Sequence, residues 1–142
     1  GGAYVVLGSS LGEPGTYDLS VADYKFIGEH PDDYAGATVA NAGDVDGDGL
    51  ADLFVGALDY SLDYEYQGAA YIILGASLGT DREIDLYDAD YKLVGNTEEI
   101  YLGQSVATAG DVDGDGKDDA VIGAWYGPDF TGAVYIVTGI GQ

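Results

Sequence analysis

Asp44-Val45-Asp46-Gly47-Asp48-Gly49-Leu50-Ala51-Asp52 and Asp111-Val112-Asp113-Gly114-Asp115-Gly116-Lys117-Asp118-Asp119 are two versions of one acidic loop in a chain of 142 residues. Each carries carboxylates at loop positions 1, 3, 5 and 9, glycine at position 6 and a backbone carbonyl at position 7. Ca²⁺ takes about 6–8 oxygen ligands at about 2.3–2.6 Å, and a tight turn of hard oxygen donors supplies them. Four carboxylates held this closely repel one another unless a cation sits between them. A solvated Asp/Gly turn is common, but turn chemistry alone does not explain a second loop with identical spacing in matching surroundings. The pattern predicts two Ca²⁺ ions per chain. One would be held by Asp44, Asp46, Asp48, the Leu50 carbonyl and Asp52, the other by Asp111, Asp113, Asp115, the Lys117 carbonyl and Asp119.

The flanks decide what kind of loop this is. An EF-hand shares the early spacing but needs a bidentate glutamate at position 12; here position 12 is Val55 or Ile122. A dockerin-type loop fails for the same reason. On either side of the first loop stand Gly36-Ala37-Thr38-Val39-Ala40-Asn41-Ala42-Gly43 and Leu53-Phe54-Val55-Gly56-Ala57. These short runs of small or β-branched residues are bounded by glycine and lack a 3.6-residue stripe, so they read as strands. The loop therefore joins the two strands of a hairpin, with position 9 supplying the last carboxylate directly.

Working outward, the loops belong to a repeat. Asp44 and Asp111 are 67 residues apart, and at that offset the chain aligns without a gap from Ala3/Ala70 to Ala57/Ala124. Ala3-Tyr4-Val5-Val6-Leu7-Gly8 matches Ala70-Tyr71-Ile72-Ile73-Leu74-Gly75, and Ala22-Asp23-Tyr24-Lys25-Phe26-Ile27-Gly28 matches Ala89-Asp90-Tyr91-Lys92-Leu93-Val94-Gly95. A third copy of the first segment runs from Gly132 to Gly139 at a shorter spacing. Four short strands per unit at this period predict β-propeller blades. A β-sandwich is the competing architecture, but it does not require such close internal repetition.

Residues 34–57 and 102–124 resemble FG-GAP repeats, the units of the propeller in integrin alpha subunits and in many secreted microbial proteins. The shared pattern is an aromatic-Gly pair, a small-residue strand ending in Ala-Gly-Asp, a calcium loop, and a strand ending in Gly-Ala. The chain departs from it in having Leu102 for the aromatic, Ala35 between Tyr34 and Gly36, and Leu58 and Trp125 after the Gly-Ala pairs. The resemblance implies an all-β chain of about two four-stranded antiparallel blades, forming a partial or oligomer-completed propeller. Segments 36–43 and 103–110 would be inner strands, 52–57 and 119–124 second strands, 69–74 and 133–138 third strands, and 90–94 a fourth. Residues 1–28 would hold the third and fourth strands of a preceding blade, at 3–7 and 24–28. Residues 29–95 would form a blade with calcium loop 44–52, and residues 96–142 an incomplete blade with calcium loop 111–119. The whole of 1–142 is then one repeat region of nine strands, which must associate with itself by strand exchange or belong to a larger propeller.

Charge narrows the function. The formal net charge is −22, with only four cationic side chains, Lys25, Arg82, Lys92 and Lys117. Two Ca²⁺ ions, four positive charges, would leave about −18. Phosphate recognition needs a basic patch, which argues against nucleic acid, and anionic membrane surfaces, which attract basic segments, are disfavoured likewise; no apolar run approaches the roughly 20 residues of a membrane helix, so membrane insertion is not expected. Screening in a saline setting would relieve the self-repulsion. Cysteine is absent, so neither disulfides nor a thiol nucleophile enter. Loops of this kind suit the millimolar calcium outside cells, which points to a secreted or cell-surface protein. The chain lacks an initiator Met and a signal peptide, as a mature or excised segment would.

No catalytic constellation stands out. His30 lies in the polar connection Glu29-His30-Pro31-Asp32-Asp33 and its repeat mate is Thr97. The serines lack a Gly-x-Ser-x-Gly elbow, and the clustered carboxylates that could serve a glycosidase are assigned to calcium. Tyr60, Tyr64, Tyr66, Trp125, Tyr126 and Phe130 gather between second and third strands. In the family resembled, these connections lie opposite the calcium loops, on the face that commonly binds ligands. They would either form a recognition surface for a protein or carbohydrate or cover the seams between blades. The expectation is a non-catalytic, extracellular calcium-binding module of adhesion or assembly. The alternative is an accessory propeller of a secreted enzyme acting on polysaccharide or lipid.

Overall fold

A computed structural model describes residues 1–63, 65–126, 131–138 and 140. Among them there is no α-helix, only strands joined by turns and short 3₁₀ segments. The strands are β1 (Gly2–Val5), β2 (Tyr24–Ile27), β3 (Ala35–Gly43), β4 (Asp52–Ala57), β5 (Ala69–Ile73), β6 (Glu83–Asp85), β7 (Tyr91–Val94), β8 (Leu102–Gly110), β9 (Asp119–Ala124) and β10 (Ala133–Val137). They form three sheets, ordered β1-β2-β6, β3-β4-β5-β7 and β8-β9-β10. The middle sheet is a complete four-stranded antiparallel blade. The described residues do not form a closed propeller.

The sequence repeat becomes a structural repeat down to its irregularities. The β3–β4 ladder slips between Ala35 and Thr38 and between Asn41 and Gly43. The β8–β9 ladder slips at the equivalent Leu102/Ser105 and Thr108/Gly110. These bulges bend the inner strand at both ends; each inner strand runs for nine residues, most of them small. In the middle blade β4 and β5 are covered on both faces and read as nearly continuous apolar runs, with every residue of β5 buried.

Glycine sets the spacing between sheets. Gly36 and Gly103 have φ of 85° and 84°, and a Cβ on them would strike the carbonyls of Gly2 and Ala69 respectively. Each inner strand thus lies backbone against backbone on the third strand of the preceding sheet, a contact only glycine permits. The Gly28 N–H donates to the Gly1 carbonyl at 3.1 Å, and the equivalent Gly95 N–H donates to Gly68 at 3.0 Å. The second seam is also pinned by the Thr38 hydroxyl on the Gly103 carbonyl at 2.6 Å. The core fills these seams. Phe26, Val55, Tyr60, Tyr71 and Leu86 close the first, while Phe54, Ile72, Ala120 and Ile140, with Ile100, Leu102 and Ile122, close the second.

One expectation is corrected. The first sheet contains a tenth strand absent from the sequence reading, β6, which leaves the second unit and pairs parallel with β2 through Lys25–Glu83, Phe26–Ile84 and Ile27–Asp85. Three residues, alternating exposed, half-buried and exposed, are too short to show a strand period, and the pairing depends on a neighbouring unit. The purely antiparallel description therefore holds for the second and third sheets but not for the first.

Candidate metal centres

Both acidic loops sit at hairpin tips, between β3 and β4 and between β8 and β9. Their local folding follows from the position-1 aspartate. Asp44 accepts backbone N–H bonds at Oδ1 from Gly47 (2.8 Å) and Asp48 (2.9 Å), and at Oδ2 from Gly49 (2.9 Å). Asp111 repeats this with Gly114 (2.7 Å), Asp115 (3.1 Å) and Gly116 (2.9 Å). Asp46 accepts from the Asp48 N–H at 3.1 Å and Asp48 from the Leu50 N–H at 2.7 Å, as Asp113 and Asp115 do from Asp115 and Lys117 at 3.1 and 2.9 Å. The position-6 glycines Gly49 and Gly116 turn the chain at φ of 90° and 92°.

The position-9 residues are anchored differently. Asp52 and Asp119 are each 1 % exposed at the start of the second strand. Asp52 Oδ2 accepts the Val45 N–H at 2.8 Å and Oδ1 the Gly75 N–H at 2.7 Å; Asp119 Oδ2 accepts the Val112 N–H at 2.7 Å. Burial pushes the Asp52 carboxyl above the usual carboxylate range, against the pull of those two N–H bonds, and the charges of Asp46 and Asp48 push the same way. A cation among these carboxylates would reverse that contribution.

Ligand atoms of Asp44, Asp46 and Asp48 lie within 4.8 Å of one another, and so do those of Asp111, Asp113 and Asp119. The first loop therefore gathers positions 1, 3 and 5, the second positions 1, 3 and 9. Asp52 and Asp115 stand in the same loops but outside these tight groups. Each group could hold a metal ion, and the all-oxygen, carboxylate-rich donor set matches Ca²⁺ rather than a metal that prefers nitrogen or sulfur.

The two loops differ in their surroundings. Val45, at position 2, is fully buried in a cluster with Ala42, Phe54, Ile72, Ala120 and Ile140, whereas its mate Val112 is 55 % exposed. Asp118, at position 8 of the second loop, reaches the first: the Asp44 N–H donates to Asp118 Oδ2 and the Asp118 N–H donates to the Asp44 carbonyl, both at 2.9 Å. Sequence reading passed over Asp118. Its mate is Ala51, and that break in the repeat was the available signal.

Other acids serve turns. Asp18 and Asp85 cap 3₁₀ turns through the N–H groups of Ser20 and Tyr87. Asp23 binds the Leu7 N–H and Ser10 hydroxyl, both at 2.8 Å, and Asp90 binds the Leu74 N–H (2.8 Å) and Ser77 hydroxyl (2.6 Å). His30 is exposed, with Nδ1 3.2 Å from buried Asp33.

The aromatic group is divided. Tyr60 is not on a recognition surface: it is 1 % exposed, packed in the first seam with its hydroxyl 3.2 Å from Lys92 Nζ. Tyr64 and Phe130 lie outside the described residues. Tyr66, Trp125 and Tyr126 do come together, and Tyr101 completes them. Tyr66 stacks on Tyr101 at 5.6 Å, with Tyr126 edge-on to Tyr101 and Trp125 against Tyr126, both at 6.1 Å. Tyr101 was missed because it precedes an inner strand; it matches Tyr34, and both adopt left-handed φ, at 50° and 54°.

Comparison with known proteins agrees with this geometry. The profile of the FG-GAP repeat matches residues 35–73 and 102–137, the spans from inner to third strand in the second and third sheets. The chain is 36 % identical over 113 residues to integrin alpha-4 of Xenopus laevis, covering 75 % of this chain and 10 % of that protein. It is 35 % identical over 122 residues to integrin alpha-PS2 of Drosophila melanogaster, covering 82 % of this chain and 8 % of that protein. Integrin alpha-5 of Xenopus laevis is 36 % identical over 124 residues, 82 % of this chain and 11 % of that protein. The chain thus spans about a tenth of the length of these curated relatives. With its repeated hairpins, glycine seams and acidic loops, the chain belongs to the FG-GAP repeat family.

Proposed function

We propose that this chain is a non-catalytic, extracellular adhesion or assembly module whose hairpin tips each bind one Ca²⁺. The carrying observation is the pair of oxygen clusters within 4.8 Å, each built around a position-1 aspartate already oriented by three backbone N–H groups. Asp44, Asp46, Asp48, the Leu50 carbonyl and Asp52 would hold one ion; Asp111, Asp113, Asp115, the Lys117 carbonyl and Asp119 the other. Calcium would cancel the carboxylate repulsion and stiffen the hairpins whose strands form the seams. Titration calorimetry of metal-free protein with CaCl₂, alongside metal analysis after dialysis, tests this: two ions per chain are expected, and fewer than one would refute it.

The outer edge supports the assembly part of the reading. Val134, Tyr135 and Ile136 of β10 are 69, 40 and 57 % exposed, an apolar row that invites cover by another blade or by a second copy of the chain. The cluster of Tyr66, Tyr101, Trp125 and Tyr126 is the recognition surface in this proposal. Trp125 is 66 % exposed and Tyr66 41 %, as an aromatic anchor for a protein ligand requires.

A further inference from the structure

We propose that Asp118 couples the two calcium loops, so that calcium in the 111–119 loop tightens calcium binding in the 44–52 loop. This rests on the calcium reading above but makes a separate claim. Asp44 is the pivot of its loop, since its carboxylate receives the N–H groups of Gly47, Asp48 and Gly49. Its own backbone is held from both sides by one residue of the other loop, through the Asp44 N–H on Asp118 Oδ2 and the Asp118 N–H on the Asp44 carbonyl. A Cβ on Gly43, just before the pivot, would collide with the Asp118 side chain, and one on Gly47 would come within 3.4 Å of Lys117 Cγ. The second loop is therefore packed against the first.

Asp118 stands between the position-7 carbonyl of Lys117 and the position-9 carboxylate of Asp119. An ion drawing in both of these neighbours fixes the backbone of Asp118, and Asp118 then presents a charged acceptor to the pivot of the first loop. Hydrogen bonds to a charged acceptor are the stronger kind. The burial of Val45 beside Ala120 and Ile140 joins the first loop to the third sheet by a second contact, so the loop rests on a neighbour that the other ion orders. Coupling of this sort is reciprocal, so filling the first loop tightens the second by the same factor.

The test titrates the full chain with CaCl₂ and follows the amide signals of Gly49 and Gly116, which report the two loops separately. The variants are Asp118→Ala, Asp118→Asn, Asp113→Ala and the Asp113→Ala/Asp118→Ala pair. Alanine stands naturally at the matching position 51, so Asp118→Ala retains a side chain this fold accepts. Asp113→Ala should weaken the Gly49-reported site about tenfold without touching any of its ligands, and Asp118→Ala should do the same while the second loop still binds its ion. The double variant should lose no more at the first site than either single one. Asp118→Asn, which keeps an oxygen acceptor but not the charge, should fall in between. Wild-type binding of two ions with first-site affinity unchanged in Asp118→Ala, or with additive losses in the pair, would overturn the coupling alone. A wild-type chain that binds less than one ion would bring down the calcium reading and the coupling with it.

Discussion

Replacing Glu29 with alanine should destabilise the chain by about 3 kcal/mol, near the lower end of the range for breaking a buried ion pair. Glu29 lies in the connection between β2 and β3, with its side chain 5 % exposed. Lys92 of β7 donates to its two oxygens at 2.7 and 3.0 Å, and the fully buried Tyr71 of β5 donates to Oε1 at 2.8 Å. Removing the carboxylate leaves the Tyr71 hydroxyl without its acceptor, a loss of about 1–3 kcal/mol. Lys92, 28 % exposed, keeps water, the Tyr60 hydroxyl at 3.2 Å and the Tyr60 ring at 5.0 Å, which places the total low in the range. Lys92→Ala should cost more, about 4 kcal/mol, because the stranded charge is then the more deeply buried Glu29. Replacing both with leucine should recover the share of the loss that comes from stranding a charge, since neither charge remains to be solvated, while the Tyr71 hydroxyl still lacks its acceptor. Urea unfolding at saturating calcium measures all three. A Glu29→Ala cost below about 1 kcal/mol, or a double variant as unstable as the sum of the single alanine changes, would show that this cluster does not clamp the first seam.

Chelating calcium should lower the melting temperature, because an ion bound only by the native state stabilises it by an amount that rises with the logarithm of its concentration over Kd; an unchanged melting curve with excess chelator would identify the loops as ordinary turns. Gly103→Ala should cost about 3 kcal/mol, combining left-handed strain with collision against the Ala69 carbonyl, whereas Gly49→Ala, with open space around its Cβ, should cost about 1 kcal/mol; equal costs in urea unfolding would refute the backbone-contact account of the seams. Stability should also fall as pH rises past about 10. Burial and the Glu29 bond push the Tyr71 phenol far above its ordinary value, so the folded state keeps a proton that the unfolded chain releases. For Lys92 burial works in the opposite direction, but the bonds to Glu29 and Tyr60 outweigh it and raise its pKa, giving the same sign. Urea midpoints that stay level from pH 8 to about 11 would contradict both assignments.

Repetition explains which parts of this molecule were legible in its sequence. A feature present in both units, such as the loop carboxylates, the Gly36/Gly103 contacts or the Asp23/Asp90 turns, announces itself by recurring at one offset. Features that differ between units carry no such signal. Glu29 has Asn96 as its mate and Asp118 has Ala51; each break in the repeat marks the position, but the partner it meets across a seam does not show in the pattern. Tyr60 was misplaced because an aromatic in a connection can point outward or fill a seam, and only packing decides. The β6 strand was hidden because its partner belongs to the preceding unit, and three residues show no period.

The four cationic side chains lie where the units meet. Lys25 of β2 pairs with Glu83 of β6 at 3.0 Å, joining the first sheet to the strand borrowed from the second unit. Arg82, next to that strand, accepts the Lys25 N–H through its carbonyl at 2.7 Å; the bonds from the Leu7 N–H and the Ser10 hydroxyl lower the Asp23 carboxyl, and the Arg82 charge adds a smaller pull in the same direction. Lys92 binds Glu29 across the first seam. Lys117 lies along Gly47 of the neighbouring loop and donates to the Ile140 carbonyl at 3.0 Å. A chain of net charge −22 repels itself most where two acidic units are brought together, and each of its cations stands at such a junction. At the hairpin tips, where the two acidic loops meet, the lysine nearest them gives its Nζ to the Ile140 carbonyl. In the proposed function calcium supplies the positive charge there that the sequence does not, and the strength of that seam then follows the calcium concentration outside the cell.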